Sequence, residues 1–183
     1  MITQQERKRA IQHAWTLCQK SGFPLVDHEI DQIEVADFGL SEFRTSGLAI
    51  LTLQVTQEVG IKLIALYPWQ ACPQHRHPVV GDYPGKEETF RGLMGEVYLY
   101  VPGEPTPNPR ARLPEHRRPH YSVWHEIVLG PGDQHYSPPN EWHWFQAGPE
   151  GAVMWSWSSR PSDYQDDFSD PEVTRRTIIA PEE

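Results

Sequence analysis

From Ile33 onward the chain is written in short apolar and aromatic runs, each closed by Gly, Pro, Asn or Asp. The runs are SGLAILTLQV (46–55), GIKLIALYPW (60–69), TFRGLMGEVYLYV (89–101), YSVWHEIVL (121–129), HWFQAG (143–148) and GAVMWSWSS (151–159). Runs this short, recurring at such spacing, predict an all-β sandwich or barrel. A composition with 18 Pro, 13 Gly, 7 Trp and 7 Tyr fits that reading better than a helical one, because turns need the first pair and half-buried strands favour the second. At 183 residues one core suffices, so a single domain is expected over 1–183. Its parts are an N-terminal helical extension (1–32), a β-barrel (33–178) and a frayed tail (179–183), with TRRTII (174–179) able to return as a last short strand.

The one clear helical pattern is TQQERKRAIQHAWTLCQKSG (3–22). Thr3 and Glu6 have capping-box spacing, Ala10, Ile11, Ala14, Trp15 and Cys18 repeat with helical period, and Gly22 and Pro24 end the element. Its apolar stripe is expected to pack on the outside of the barrel. Cys18 and Cys72 are too few for a disulfide framework and form no CxxC pair, so both read as small buried hydrophobes. A net charge of −9 argues against nucleic acid and against an anionic membrane surface. The basic run RLPEHRRPH (112–120) is short and broken by prolines, and the surrounding proline-rich loop 102–120 has no assigned role. With no apolar stretch near the roughly 20 residues of a membrane span and no signal-type N-terminal core, a cytoplasmic location is expected.

Chemistry concentrates in QHRHPVVGDYPGKEETFRG (74–92). His75 and His77 are two apart and face the same way on a strand, which makes them a half-site for a divalent metal. Glu88 follows eleven residues after His77, and the loop PVVGDYPGK can return it to the histidines as a third ligand. His143, just after the stiff Pro138-Pro139-Asn140 turn, is the fourth candidate, with His135 its rival. Three neutral imidazoles and one carboxylate leave a divalent ion one net positive charge and, at six-coordination, two open positions. Taken singly each of these residues reads more simply as surface or core, and Glu87, on the other face, reads as a solvated charge. His116, His120 and His28 read as solvated, His13 as surface or packing, and His125 as edge or exterior.

These segments, HxH, then Glu88 with Gly95 seven residues on, a proline-rich turn and a last His, resemble the cupin superfamily, whose fold is a double-stranded β-helix, or jelly-roll barrel. DFGLSEF (37–43), HRHP (75–78), GKEETFRGLMGEVYLYVPG (85–103), PPNEWHWFQAG (138–148) and SSRPSDYQDDFSDPEVTR (158–175) look like the short bacterial cupins of the D-lyxose isomerase family. The resemblance covers roughly residues 36–178. It implies metal ligands at His75, His77, Glu88 and His143, usually holding manganese, although zinc, iron, cobalt or nickel accept the same donors. It also implies a substrate-site lysine at Lys86, and aldose–ketose isomerisation of an open-chain sugar through an enediol. A small-molecule sugar is the implied partner, and pairing through sheet edges implies a homodimer.

One position departs from the resemblance. The family generally carries a glutamate just before the Ser-Ser of the late strand, and Ser156 stands there in this chain. A lone hydroxyl has no basicity near neutrality. Substitutes for proton transfer are Lys86 with its pKa lowered by the nearby metal, or Asp163, Asp166, Asp167 or Glu141, each of these four reading first as a solvated surface carboxylate. Ser156 therefore keeps two other readings open: an Fe(II) cupin dioxygenase and a non-enzymatic sugar-binding cupin.

Overall fold

The computed structural model describes residues 1–160 and 163–181. Helix α1 (Gln4–Lys20) opens on a complete capping box. The Glu6 N–H donates to Thr3 Oγ1 at 3.1 Å, and the Thr3 N–H donates to the Glu6 carboxylate at 2.7 Å. Gly22 leaves the helix at φ +78°, a left-handed turn that glycine adopts without steric cost. Among the described residues no helix is long and apolar enough to cross a membrane.

Nine strands follow: β1 (Glu34–Ala36), β2 (Leu48–Val55), β3 (Val59–Leu66), β4 (Ala71–Arg76), β5 (Glu88–Val101), β6 (His125–Leu129), β7 (Gln134–Ser137), β8 (His143–Ser159) and β9 (Asp167–Phe168). They form one curled antiparallel sheet in the order β1-β2-β3-β8-β4-β9, and β5 lies along the length of β8 and carries β6 and β7. The expected all-β architecture with an N-terminal helix is the one observed.

Strand β8 is a correction to the sequence reading, which divided it into HWFQAG and GAVMWSWSS. Core positions on it run 145 and 147 before the bend, then 152 and 154 after it, so the inward parity changes across residues 148–151. A strand that swaps faces in mid-course looks like two strands when judged by alternation. β5 does the same: Phe90 faces the core near one end, Val97 and Leu99 near the other, and the β5–β8 register shifts between Gly92 and Met94 and between Gly95 and Val97. Gly95 (φ +68°) is required there, since a Cβ would overlap the Gly151 carbonyl. ACPQHR, outside the runs given above, forms β4 and puts His75 on a strand, as the His75–His77 reading expects.

Both faces of β2 and β3 are covered. Leu48, Ile50, Ile64 and Leu66 point into the barrel with Phe90, Phe145 and Met154. Ala49, Leu51, Leu63 and Ala65 point outward under Ala14, Trp15, Leu17 and Cys18 of α1. The helix thus packs its stripe on the outside, as its periodicity predicts. The tail is less free than its composition predicts: Ile179 bridges Ile2, with hydrogen bonds from the Ile2 N–H to the Ile178 carbonyl and from the Ala180 N–H to the Ile2 carbonyl. Residues 182 and 183 of the expected frayed tail lie outside the described residues.

Candidate metal centre and active site

Four side chains converge in the barrel. His75 is the last residue but one of β4, His77 follows just past the strand, Glu88 begins β5 and His143 begins β8. β4 and β8 pair with His75 directly opposite His143, which puts their ring centroids 4.4 Å apart. His77 lies 5.1 Å from each of the other two rings. One nitrogen or oxygen from each of His75, His77, Glu88 and His143 lies within 4.8 Å of the others, and all four residues are buried.

Local backbone explains the convergence. The 78–85 loop folds back tightly enough that a Cβ on Gly85 (φ +101°) would overlap the His77 carbonyl, and this brings Glu88 to the histidines. The Asn140 N–H donates to the same carbonyl at 3.0 Å, with Asn140 itself left-handed at φ +61°, so the Pro-Pro-Asn turn is tied to the His77 segment.

Each imidazole is held from behind. Nδ1 of His75 meets the Pro73 carbonyl at 2.9 Å, and Nδ1 of His143 meets the Glu141 carbonyl at 3.0 Å. Since a carbonyl only accepts, both rings carry the proton on Nδ1 and turn the Nε2 lone pair inward. His77 Nδ1 instead meets the Asp166 carboxylate at 2.6 Å, and its Nε2 meets Glu88 Oε2 at 2.9 Å. Burial, with His77 close by, pushes the pKa of His75 down to about 4. Burial and the two neighbouring imidazoles push His143 well below the ordinary range. Burial and Lys86 also push His77 down, but its bonds to Asp166 and Glu88 outweigh them and leave it raised.

His143 Nε2 is buried and has no hydrogen-bond partner among the described residues. An orphaned imidazole lone pair is costly unless something electropositive meets it, and three imidazoles with a carboxylate are a borderline-soft donor set for a first-row divalent ion. The residues present therefore fit a metal.

Lys86 and Glu88 are buried and Glu87 between them is exposed, as alternation predicts. Lys86 Nζ lies 3.0 Å from Asp163 Oδ1 and 3.5 Å from Glu88 Oε2. Burial opposes its charge, but these carboxylates and Asp166 outweigh burial and hold the ammonium above its ordinary pKa. With these neighbours Lys86 stands as an ammonium, a hydrogen-bond donor. Burial likewise pushes the Glu88 carboxyl up, and Lys86 and His77 outweigh it, leaving Glu88 well below the usual carboxylate range.

Asp163 and Asp166 are the other correction. Read as solvated, both line the cavity instead. Asp163 pairs with Lys86 and Lys62, and Arg175 lies 3.8 Å away. Asp167 pairs outside with Arg76, and Glu141 contributes its backbone carbonyl. Ser156 is 1% exposed and its hydroxyl donates to Glu88 Oε1, so it braces a candidate ligand. His135 lies opposite Phe90 on β7, outside the four-residue group. His125 is exposed, and His116 is an exposed partner of Glu42.

Lys62 and Arg175 were not anticipated. Lys62 had a readable signal: in GIKLIAL it shares inward parity with Ile64 and Leu66, where a charge needs a partner. Arg175, in an irregular segment, had none.

No protein-family model matches the chain. A D-lyxose ketol-isomerase of a Thermofilum species is 50% identical over 175 residues, 96% of this chain and 97% of that protein. A D-lyxose/D-mannose isomerase of Thermosediminibacter oceani is 43% identical over 175 residues, at the same coverage, and a D-lyxose ketol-isomerase of Cohnella laeviribosi is 47% identical over 161 residues, 88% of each chain.

The chain belongs to the D-lyxose ketol-isomerase family.

Membership makes it an aldose–ketose isomerase. The barrel is that of cupin-fold isomerases. Solved structures of L-ribose isomerase from Cellulomonas parahominis and Acinetobacter sp. DL28 superpose with TM-scores of 0.81 and 0.80, covering 98% of both chains in each case. At 17% identity they bear on the fold alone.

Proposed function

We propose that this D-lyxose ketol-isomerase family member interconverts D-lyxose, and its close relative D-mannose, with the corresponding ketoses, using a divalent metal held by His75, His77, Glu88 and His143. Manganese is the ion we assign. The observation that carries the reading is the four buried donors within 4.8 Å of one another, with His143 Nε2 unpartnered among them, beside the Lys86 ammonium.

When bound, the ion supplies Lewis-acid polarisation of the carbonyl and adjacent hydroxyl of an open-chain aldose, which acidifies the carbon-bound proton between them. The chain's own groups do the rest. Asp166 and the Pro73 and Glu141 carbonyls orient the imidazoles, and Ser156 orients Glu88. Lys86 is the catalytic donor we assign: its ammonium meets a substrate oxygen as charge develops there, in a cavity where low dielectric strengthens the bond. Phe38, Phe90 and Phe168 wall the cavity and keep bulk water from the enediol.

Family membership at this identity favours isomerase chemistry over the dioxygenase and non-enzymatic readings that Ser156 left open. Incubating manganese-loaded protein with D-lyxose or D-mannose and following D-xylulose or D-fructose tests the reading. Absence of interconversion in either direction overturns it. We also assign a cytoplasmic homodimer paired through sheet edges; a monomer mass by light scattering removes the dimer.

A further inference from the structure

Moving a proton between neighbouring carbons needs a group that takes it from one and returns it to the other. Among the described residues three carboxylates line the barrel cavity: Glu88, Asp163 and Asp166. Two are committed elsewhere. Glu88 has Oε2 on His77 and Oε1 on Ser156 and belongs to the ligand group. Asp166 gives Oδ1 to His77 Nδ1. The Asp163 side chain instead meets cations, Lys62 and Lys86, with Arg175 beyond. It is also the most open of the three, 23% exposed against 6% for Glu88 and 8% for Asp166. Ser156, on β8, offers a hydroxyl already donated to Glu88.

Lys86 Nζ stands between Asp163 and the ligand group, 3.0 Å from one and 3.5 Å from Glu88. A substrate oxygen that takes the place of Asp163 on this ammonium brings its carbons beside the Asp163 carboxylate. Lys62, held 8% exposed on β3 opposite Ser156, keeps the displaced carboxylate from swinging into solvent.

We propose that Asp163 is the catalytic base that carries the proton between C1 and C2 of the sugar, with Lys62 as its positioning residue. This inference rests on the isomerase reading above. The Asp163 carboxylate takes the proton from C2, the C–H electron pair becomes the C1=C2 bond, and the carbonyl pair moves onto O1. The O2 hydroxyl proton passes to O1, the charge on O2 closes to a carbonyl, and the C1=C2 pair takes a proton from the Asp163 carboxyl at C1, either the one removed from C2 or one exchanged with solvent while Asp163 holds it. No atom or electron is left over, and Lys62 and Lys86 keep their protons throughout.

The test is Asp163→Asn in manganese-loaded protein, beside wild type, Asp163→Glu and the surface control Glu87→Gln. The expected result is a loss of about 10²–10⁴-fold in kcat, with KM and metal content close to wild type and no incorporation of solvent deuterium at C1 or C2. Asp163→Glu keeps the lysine pairing, so it decides the matter if Asp163→Asn fails to fold. It should lose more than about tenfold in kcat while still exchanging deuterium, and Glu87→Gln should match wild type. Active wild type beside an Asp163→Asn or a folded Asp163→Glu that keeps wild-type kcat overturns the inference alone; inactive wild type overturns the isomerase reading and this inference with it.

Discussion

Asp166→Ala isolates the one imidazole whose backing is a side chain. His75 and His143 are braced by the Pro73 and Glu141 carbonyls, which no substitution removes, whereas His77 depends on the 2.6 Å bond to Asp166. Without it His77 is free to choose the other tautomer and to rotate, and loss of such an orienting partner weakens metal binding by about 10–100-fold. That is about 1.4–2.7 kcal/mol. At metal concentrations well above both Kd values, the metal-induced stabilisation falls by the same amount. For a chain of this size each kcal/mol moves Tm by about 2–4 °C, so the rise in Tm on adding metal should shrink by about 3–11 °C. Metal affinity by competition with a chromophoric chelator, and thermal melts with and without metal, give two independent readings, and the difference between melts removes any loss in the metal-free protein. An Asp166→Ala protein that binds metal as tightly as wild type refutes the orienting role.

Glu88→Ala should lose most of the bound metal and Glu87→Ala should not, because only the first removes a buried carboxylate from the donor group; equal metal contents in the two purified variants contradict the assignment. Met154→Ala, at a fully buried position in the barrel core, should destabilise by about 2–5 kcal/mol in urea unfolding without shifting the metal stoichiometry, and a loss below about 1 kcal/mol means the barrel collapses around the gap. Burial pushes the Glu42 carboxyl up, but Arg117 and His116 outweigh it and hold it below its ordinary 4.5. A depressed folded pKa gives stability that is present above the unfolded pKa and lost as pH falls through the folded one. Wild type should therefore exceed Glu42→Gln in stability at neutral pH, with the gap closing in acid; a gap that widens below pH 4.5 contradicts the sign.

The candidate donor group is legible in the sequence because each member sits in ordered local context. His75 and His77 share a face by strand alternation, Lys86 and Glu88 share one across Glu87, and His143 follows a rigid turn. Asp163 and Asp166 are not legible as inward because Asp163 opens a single 3-10 turn, Asp163–Gln165, and Asp166 follows it, too short a stretch for periodicity to tell which side chains turn inward. Lys62 shares inward parity with Ile64 and Leu66, but its carboxylate partner Asp163 is 101 positions away, beyond any local signal. The divided reading of β8 failed for another reason: alternation holds only within a stretch of constant register, and close-packed Gly95 and Gly151 mark where the register shifts.

Local chemistry in the chain thus determines strand character, the capped helix, the inward pair His75 and His77, and a carboxylate delivered to them, because periodicity and turn geometry act over a few residues. Tertiary structure alone decides that Ser156 braces Glu88, that Asp166 sets the proton position on His77, and that Asp163 lies between two lysines. Those contacts join residues 68, 89, 101 and 77 positions apart along the chain. They exist only because the curled sheet closes, and closure depends on the packing of every strand together.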